Sequence, residues 1–325
     1  MSAAPSRLIF GIIPWYSFLI VLGVVIAITL AVREEKRLGL EKDTVLDFAL
    51  LVLPCGIIGA RIYYVVFSWD QFRNNLLSVI RIWEGGIAIY GAVIAGLLAA
   101  WFFSRRRKIS FFTICDIFAP GLILAQAIGR WGNYFNQECF GAAVTDPSLQ
   151  FFPFAVQIQA DTASPWHMAT FFYESVWNLM VIIFLMVARR KLFRYRGDVI
   201  SFYAFLYACG RLIIEDFRTD SLYAASSVRV SQLLSVVICA AVLTRYIFIF
   251  RRRPSFRSAA VTASLILAFL ADAAAALWMT NLVSLASPSL LTRFLLLACC
   301  SIVNISVLFI VYGKCAEGEI VYADR

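Results

Sequence analysis

Apolar residues run in long blocks near positions 9–32, 46–68, 86–104, 111–130, 169–188, 198–216, 230–250, 259–281 and 292–313, separated by short polar connections. Each block approaches the roughly 20 residues that an α-helix needs to cross a hydrocarbon core. The pattern therefore predicts an all-α, polytopic membrane helix bundle. No charged segment followed by a short apolar core and a small-residue cleavage site opens the chain, so the first block is expected to remain as a span.

One stretch breaks the pattern. Ile114 to Ile128 is apolar except for Asp116, Pro120 and Gln126, and it leads directly into Gly129-Arg130-Trp131-Gly132-Asn133-Tyr134-Phe135-Asn136-Gln137-Glu138-Cys139-Phe140-Gly141. Five polar side chains between Arg130 and Glu138 are more than a helix end at a membrane surface requires. Arg130 and Asn133 share a face if the helix continues. Gly132 and Gly141 let the backbone turn or come close to something bound. A fixed cation with amide donors beside it, partly shielded from water, suits a phosphate or a developing negative charge.

Composition sharpens the membrane reading. The 325 residues are 62% hydrophobic and 15% charged, far from soluble usage. The net charge of +9 would suggest nucleic acid if it were spread over a surface. It is concentrated instead in the connections Arg33/Lys36/Arg37/Lys42, Arg105/Arg106/Arg107/Lys108, Arg189/Arg190/Lys191/Arg194/Arg196 and Arg251/Arg252/Arg253/Arg257. These are alternate connections, and basic loops stay cytoplasmic. Loop 131–168 holds no Lys or Arg, which puts it and Arg130 at the outer face, with the N-terminus outside and the C-terminus inside. Arg73, Arg81, Arg218 and Arg229 fall on external connections against this trend. The eight cysteines show no metal spacing, and Cys139 alone lies in a polar loop.

Arg61, Glu84, Asp116, Arg130, Glu174, Arg211 and Glu215 lie in or beside apolar blocks, where a charge must be paired or face a cavity. Tyr207, Arg211 and Glu215 recur every four residues and form one helical stripe. Arg211 and Glu215 approach the outer level of Arg130, so two arginines can converge there. Each feature has a plainer reading. Arg211 and Glu215 also fit a structural ion pair, Gly85-Gly86 and Gly91 fit close helix packing, Asp116 fits a cap, and Trp15 and Tyr16 fit an interfacial aromatic belt.

These residues carry a resemblance. Gly59-Ala60-Arg61, Trp83-Glu84-Gly85-Gly86, Asp116 with Ala119-Pro120, Gly129 through Gly141, Thr170-Phe171-Phe172-Tyr173-Glu174, and Gly210-Arg211 with Glu215 resemble, in this order, the prolipoprotein diacylglyceryl transferases of bacteria over roughly residues 10–250. The resemblance implies a seven-span inner-membrane core, residues 1–254, and leaves 255–325 as an extension with about two further spans. It implies transfer of the diacylglyceryl unit of phosphatidylglycerol to the lipobox cysteine thiol of a prolipoprotein, with formation of a thioether and release of glycerol-1-phosphate. The partners are then phosphatidylglycerol, the lipobox segment and membrane lipid, with no nucleic acid, cofactor or metal. By position, Arg130, Asn133, Glu138 and Gly141 match the signature's essential residues, Arg211, Glu215 and Tyr207 match the later motif, and Tyr16 matches a tyrosine of the first span. Arg61 joins the substrate-binding set. Tyr90 stands where many relatives place a histidine, and His167 sits one place out of register with the family's His-Pro.

The expected chemistry follows. Arg130 and Arg211 hold the phosphate, while Asn133 and Glu138 orient the glycerol head and Arg130 itself. A thiol with a pKa of about 8.5 in water needs a proton acceptor or a positive field, and Glu138, Tyr90 and His167 are all candidates. A transporter would show paired repeats, a metal-dependent phosphotransferase spaced aspartates, and a serine protease a Ser/His pair. None is evident. The acidic end, Glu317, Glu319 and Asp324, carries no assigned chemistry.

Overall fold

The structure, a computed structural model, describes residues 6–159, 165–219, 223–225, 228–252, 254–279 and 290–316; Glu317, Glu319 and Asp324 lie outside them. Among the described residues are nine long helices, one in each apolar block: α1 (Trp15–Arg37), α2 (Thr44–Phe67), α3 (Ile89–Arg107), α4 (Phe111–Asn136), α5 (Thr170–Lys191), α6 (Asp198–Ile214), α7 (Val230–Phe250), α8 (Ala259–Met279) and α9 (Leu290–Ala316). By length and composition α1, α2, α4, α5, α7 and the Phe294–Cys315 part of α9 can cross a membrane, and α8 contains a shorter apolar stretch, Ala259–Ala274. The chain is a multi-pass membrane protein.

Several boundaries differ from those the apolar blocks suggest. Residues 9–14 are not helical: β1 (Leu8–Ile9) and β2 (Ile13–Pro14) pair as a small hairpin, with Phe10 and Gly11 in the left-handed region between them. The third helix begins at Ile89 because Gly85 and Gly86, at φ 90° and 77°, cannot be helical. Glu84 therefore sits in a 3-10 turn and pairs with Arg81 at 3.4 Å. The fourth helix runs on to Asn136, about two turns past the apolar block.

The chain divides into two compact units, residues 26–121 and residues 1–25 with 122–325. In the first, α2 and α3 touch backbone to backbone. A Cβ on Gly59 would lie 2.3 Å from Ala95 Cβ and 2.7 Å from the Gly91 carbonyl, so the crossing tolerates only hydrogen there. Phe48, Ala100, Phe103 and Ile114 form the core beside it.

In the second unit α5, α6 and α7 pack in sequence, and α9 lies against α6. Phe193, Phe202, Tyr246 and Phe250 are almost fully buried and pack ring against ring or on Tyr312 around Asp198, which is itself wholly enclosed. That carboxylate accepts from Tyr246 Oη at 2.9 Å, from the amides of Arg194 and Tyr195 at 3.0 and 2.8 Å, and from Tyr312 of α9. A buried charge surrounded by so many donors pins the start of α6. Strands β3 (Ala155–Gln157) and β4 (Trp166–Met168) pair antiparallel ahead of α5. β5 (Tyr223–Ala225) and β6 (Val228–Arg229) form a third small hairpin before α7.

Candidate active site

Because α4 continues through the polar signature, Arg130 and Asn133 do share a face. The backbone then leaves the helix through two non-glycine residues in the left-handed region, Gln137 at φ 58° and Cys139 at φ 56°. Such residues are strained and need neighbours to hold them. The holding contacts are present. Glu138 N donates to Asn133 O at 3.1 Å, and Glu138 Oε1 accepts from Asn133 Nδ2 at 2.9 Å and from Asn136 Nδ2 at 3.2 Å. Thr170 Oγ1 donates to the Cys139 carbonyl at 2.7 Å, and Arg218 Nη2 donates to Cys139 Sγ at 3.1 Å.

The centre of the site is Glu174, 2% exposed, on the second turn of α5. Its Oε1 lies 2.5 Å from Arg130 Nη2 of α4, and its Oε2 lies 2.8 Å from Arg211 Nη1 of α6. Tyr207 Oη donates to Oε1 at 3.3 Å. Arg211 Nη2 also meets Glu215, whose Oε2 is 3.9 Å from Arg218 Nη1. One carboxylate thus joins two guanidiniums from different helices. The row Arg130, Glu174, Arg211, Glu215, Arg218 alternates in sign and ends with a surplus of one positive charge. In a low-dielectric setting that surplus attracts a singly charged phosphodiester.

Around this row the loop after α4 is tied down through its backbone. Gly141 N donates to Met168 O at 2.9 Å, Met168 N to Ala142 O at 3.0 Å, and Ala142 N to Phe217 O at 2.9 Å. A Cβ on Gly141 would lie 2.8 Å from Met168 Cβ and 2.9 Å from both the Phe217 carbonyl and Thr170 Cγ2, so any larger residue forces its neighbours to shift. His167 is buried, its Nδ1 2.9 Å from Gly141 O and its ring against Phe140 at 4.7 Å. It fixes the loop. Tyr16 lies on the bare Cα of Gly132, where a Cβ would come within 2.7 Å of Tyr16 Cδ2, and Trp15 stacks on Phe135 at 4.7 Å.

Of the residues expected from sequence, the second unit brings together Arg130, Asn133, Glu138, Gly141, Tyr16, Tyr207, Arg211 and Glu215. Arg61 and Tyr90 belong to the other unit. There Arg61, 7% exposed, donates to the carbonyls of Val79 (2.8 Å), Gly85 (2.6 Å), Gly86 (2.7 Å), Ser78 (2.6 Å) and Arg81 (3.4 Å). Its guanidinium thus clamps the glycine turn that precedes α3. Tyr90 opens α3, 6.2 Å from Tyr63 ring to ring. Two residues had no expected role. Glu174 is the hub of the charge row, legible only as a buried acid in the Thr170–Glu174 segment. Arg218 is its far end, for which the i,i+3 spacing from Glu215 is the sequence signal.

A sequence model described as prolipoprotein diacylglyceryl transferase matches residues 7–248. The chain is similar to proteins named phosphatidylglycerol–prolipoprotein diacylglyceryl transferase. The Streptococcus suis protein is 45% identical over 227 residues, 70% of this chain and 84% of that one. The Enterococcus faecalis protein is 44% identical over 253 residues, 77% and 91% of the respective chains. The Oceanobacillus iheyensis protein is 45% identical over 244 residues, 74% and 84%. With the family model covering most of its length, this chain belongs to the prolipoprotein diacylglyceryl transferase family.

Proposed function

We propose that this chain transfers the diacylglyceryl unit of phosphatidylglycerol to the lipobox cysteine of prolipoproteins, as the first step of lipoprotein maturation. The observation that carries the mechanism is Arg130 and Arg211 meeting on the two oxygens of Glu174. Each guanidinium has five N–H donors in a fixed fork, more than these carboxylates take. The remaining donors hold the phosphate.

The thiol loses its proton, and the sulfur attacks the glycerol carbon that bears the phosphate ester. The C–S bond forms as the C–O bond breaks, and the electron pair leaves on the phosphate oxygen as glycerol-1-phosphate. The leaving group gains negative charge as it departs, and the two guanidiniums stabilise that growth more than they stabilise the resting diester. Glu138 is the proton acceptor we favour. It is exposed, and both neighbouring amides donate to Oε1, which leaves Oε2 for the proton. Asn133 and Asn136 position that carboxylate, Gly141 lets the loop close beneath it, and Tyr207 and Glu215 orient the two arginines. Tyr16, Arg61 and Tyr90 complete the substrate-binding and catalytic set, with Arg61 acting through the Gly85-Gly86 turn.

The protein is placed in the bacterial cytoplasmic membrane with its N-terminus outside and its C-terminus in the cytoplasm. The support is the alternation of basic connections, with the Lys- and Arg-free region after Arg130 on the outer side. Residues 1–254 form the seven-span transferase core and 255–325 an addition with two spans, a division supported by the family match ending at residue 248.

The test is transfer of label from phosphatidylglycerol carrying a labelled diacylglyceryl unit to a lipobox peptide. The wild-type chain is expected to label the peptide cysteine and to release glycerol phosphate. Absence of both products, or a full rate from Arg130→Lys, overturns the reading.

A further inference from the structure

One helical turn deeper than the charge row lies a second polar level. Helices α4 and α5 run antiparallel, as Tyr134 against Phe171 (5.2 Å), Arg130 against Glu174, and Ala127 O against Ser175 Oγ (2.9 Å) show. Four residues back from Arg130 is Gln126, and four residues on from Glu174 is Asn178, so both sit about 6 Å deeper on the same faces. On α6 the corresponding steps back from Arg211 are Tyr207 and Tyr203, whose rings stack at 6.1 Å. Gln126 Nε2 donates to Tyr203 Oη at 3.0 Å, which joins α4 to α6 at this depth.

This level is incompletely bonded. Asn178 is 0% exposed, yet neither its Nδ2 nor its Oδ1 has a partner, and Gln126 Oε1 has none either. Buried amides inside a bilayer protein are costly unless something bonds them. Gln126, Tyr203, Tyr207, Arg130 and Arg211 are all partly exposed. These side chains descend from the arginines to this level, and Asn178 is enclosed on α5 one turn below Glu174. Amide oxygen and nitrogen are assigned from the surrounding network. Turned over, Gln126 takes the Tyr203 hydroxyl on Oε1 and has Nε2–H left to donate, in the place of the unbonded oxygen.

In a diacyl phospholipid the groups just beneath the phosphate are two ester carbonyls, which accept hydrogen bonds and donate none. We propose that Gln126, Asn178 and Tyr203 form a subsite that binds the ester carbonyls of the donor lipid, so that the enzyme reads the acyl linkage as well as the phosphate. This rests on phosphatidylglycerol being the donor. The arginines fix the phosphate, and the lower level fixes the glycerol backbone. Together they aim the carbon between them at the thiol.

The experiment compares phosphatidylglycerol with its diether analogue, in which the carbonyls are absent and the phosphoglycerol head is unchanged. The wild-type protein is expected to show kcat/KM higher for the diester, by roughly 2- to 10-fold per hydrogen bond. In Asn178→Leu and Gln126→Leu the ratio of the two donors falls toward one. Tyr203→Phe, which keeps the stacked ring, shows a partial fall. The ratio is taken within one preparation, so loss of folded protein cancels. Equal use of both donors by the wild type, or an undiminished ratio in all three variants, overturns the subsite. Failure of the wild type to use either donor overturns instead the transferase reading on which it rests.

Discussion

Arg211 Nη1 and Glu174 Oε2 are 2.8 Å apart, joining two helices through residues 37 positions apart in sequence. Both groups are nearly enclosed, at 12% and 3% side-chain exposure. Geometry, and not charge alone, makes this arginine useful, because its fork reaches Glu174 with one nitrogen and Glu215 with the other. A lysine has one nitrogen and cannot span both. Arg211→Lys is therefore expected to lower kcat by about 100-fold or more, the scale seen when one preorganised donor to a developing oxyanion is lost. Arg130→Lys should behave alike. Label-transfer kinetics check both.

Glu174→Gln separates stability from chemistry. It keeps the shape of the side chain and removes the charge that faces two guanidiniums. An uncompensated buried charge costs about 3–5 kcal/mol, so the variant should unfold at clearly lower temperature in detergent. Lipid with an anionic phosphate supplies the missing charge and should restore more Tm to Glu174→Gln than to the wild type. A thermal-shift series with phosphatidylglycerol and a zwitterionic lipid measures this, and an equal gain for both proteins contradicts it.

Much of the fold was legible because bilayer thickness imposes a length on apolar blocks, and each block became a helix. Charge convergence was legible too: Tyr207, Arg211 and Glu215 repeat at the helical period, and Arg130 sits at the matching end of its block. What the pattern could not give was the partner. Glu174 reads as a charge that needs a partner or a cavity, and only its bonds to Arg130 of α4 and Arg211 of α6 identify it as the shared anion. The structural partners of Arg61 were not legible either. A lone arginine among apolar residues suggests a ligand, yet a turn built from Gly85 and Gly86 leaves carbonyls pointing inward, and the guanidinium satisfies them. Helix starts at Trp15 and Ile89 depended on left-handed residues that hydropathy does not register.

Two glycines of the signature should respond differently to a methyl group. Gly129 has nothing within 4 Å of its Cβ position, so Gly129→Ala should leave Tm unchanged or slightly raised, by up to about 1 kcal/mol of stability. Gly141 faces a carbonyl and two side chains at 2.8–2.9 Å, and its own amide is bonded, so the backbone cannot move aside. Gly141→Ala should cost about 1–3 kcal/mol as an overpacked site. It should also displace Glu138 and lower the transfer rate.

His167 fixes that same loop from the other side, and its role predicts a pH profile. Its Nδ1 is 2.9 Å from Gly141 O, and its ring packs on Phe140, so its bonds are directed at the backbone of the loop. His167→Ala should weaken the loop by about 1–3 kcal/mol, the cost of leaving a buried carbonyl unbonded. The shape of kcat/KM against pH should be unchanged. Loss of a basic limb from the profile would make the histidine a proton acceptor.

The last prediction concerns α9, which lies beyond the family match. Its Tyr312 donates to Asp198, its Ser301 Oγ donates to Cys209 O at 3.2 Å, and its Leu297 and Cys300 pack on Leu212. Cys209 and Leu212 flank Arg211 on α6, so α9 supports the helix that carries the second guanidinium from the side away from Glu174. Truncation after residue 254 removes one of the donors around a fully enclosed carboxylate and exposes Leu212. The truncated chain should show a lower Tm and a reduced transfer rate. Tyr312→Phe isolates the hydroxyl: by leaving the ring in its aromatic cluster it should lose only the hydrogen-bond share, about 1–3 kcal/mol because the acceptor is charged. If truncation leaves both Tm and rate intact, α9 contributes nothing to the placement of Arg211. If it lowers Tm while Tyr312→Phe does not, the contribution comes from packing on Leu212 and not from Asp198.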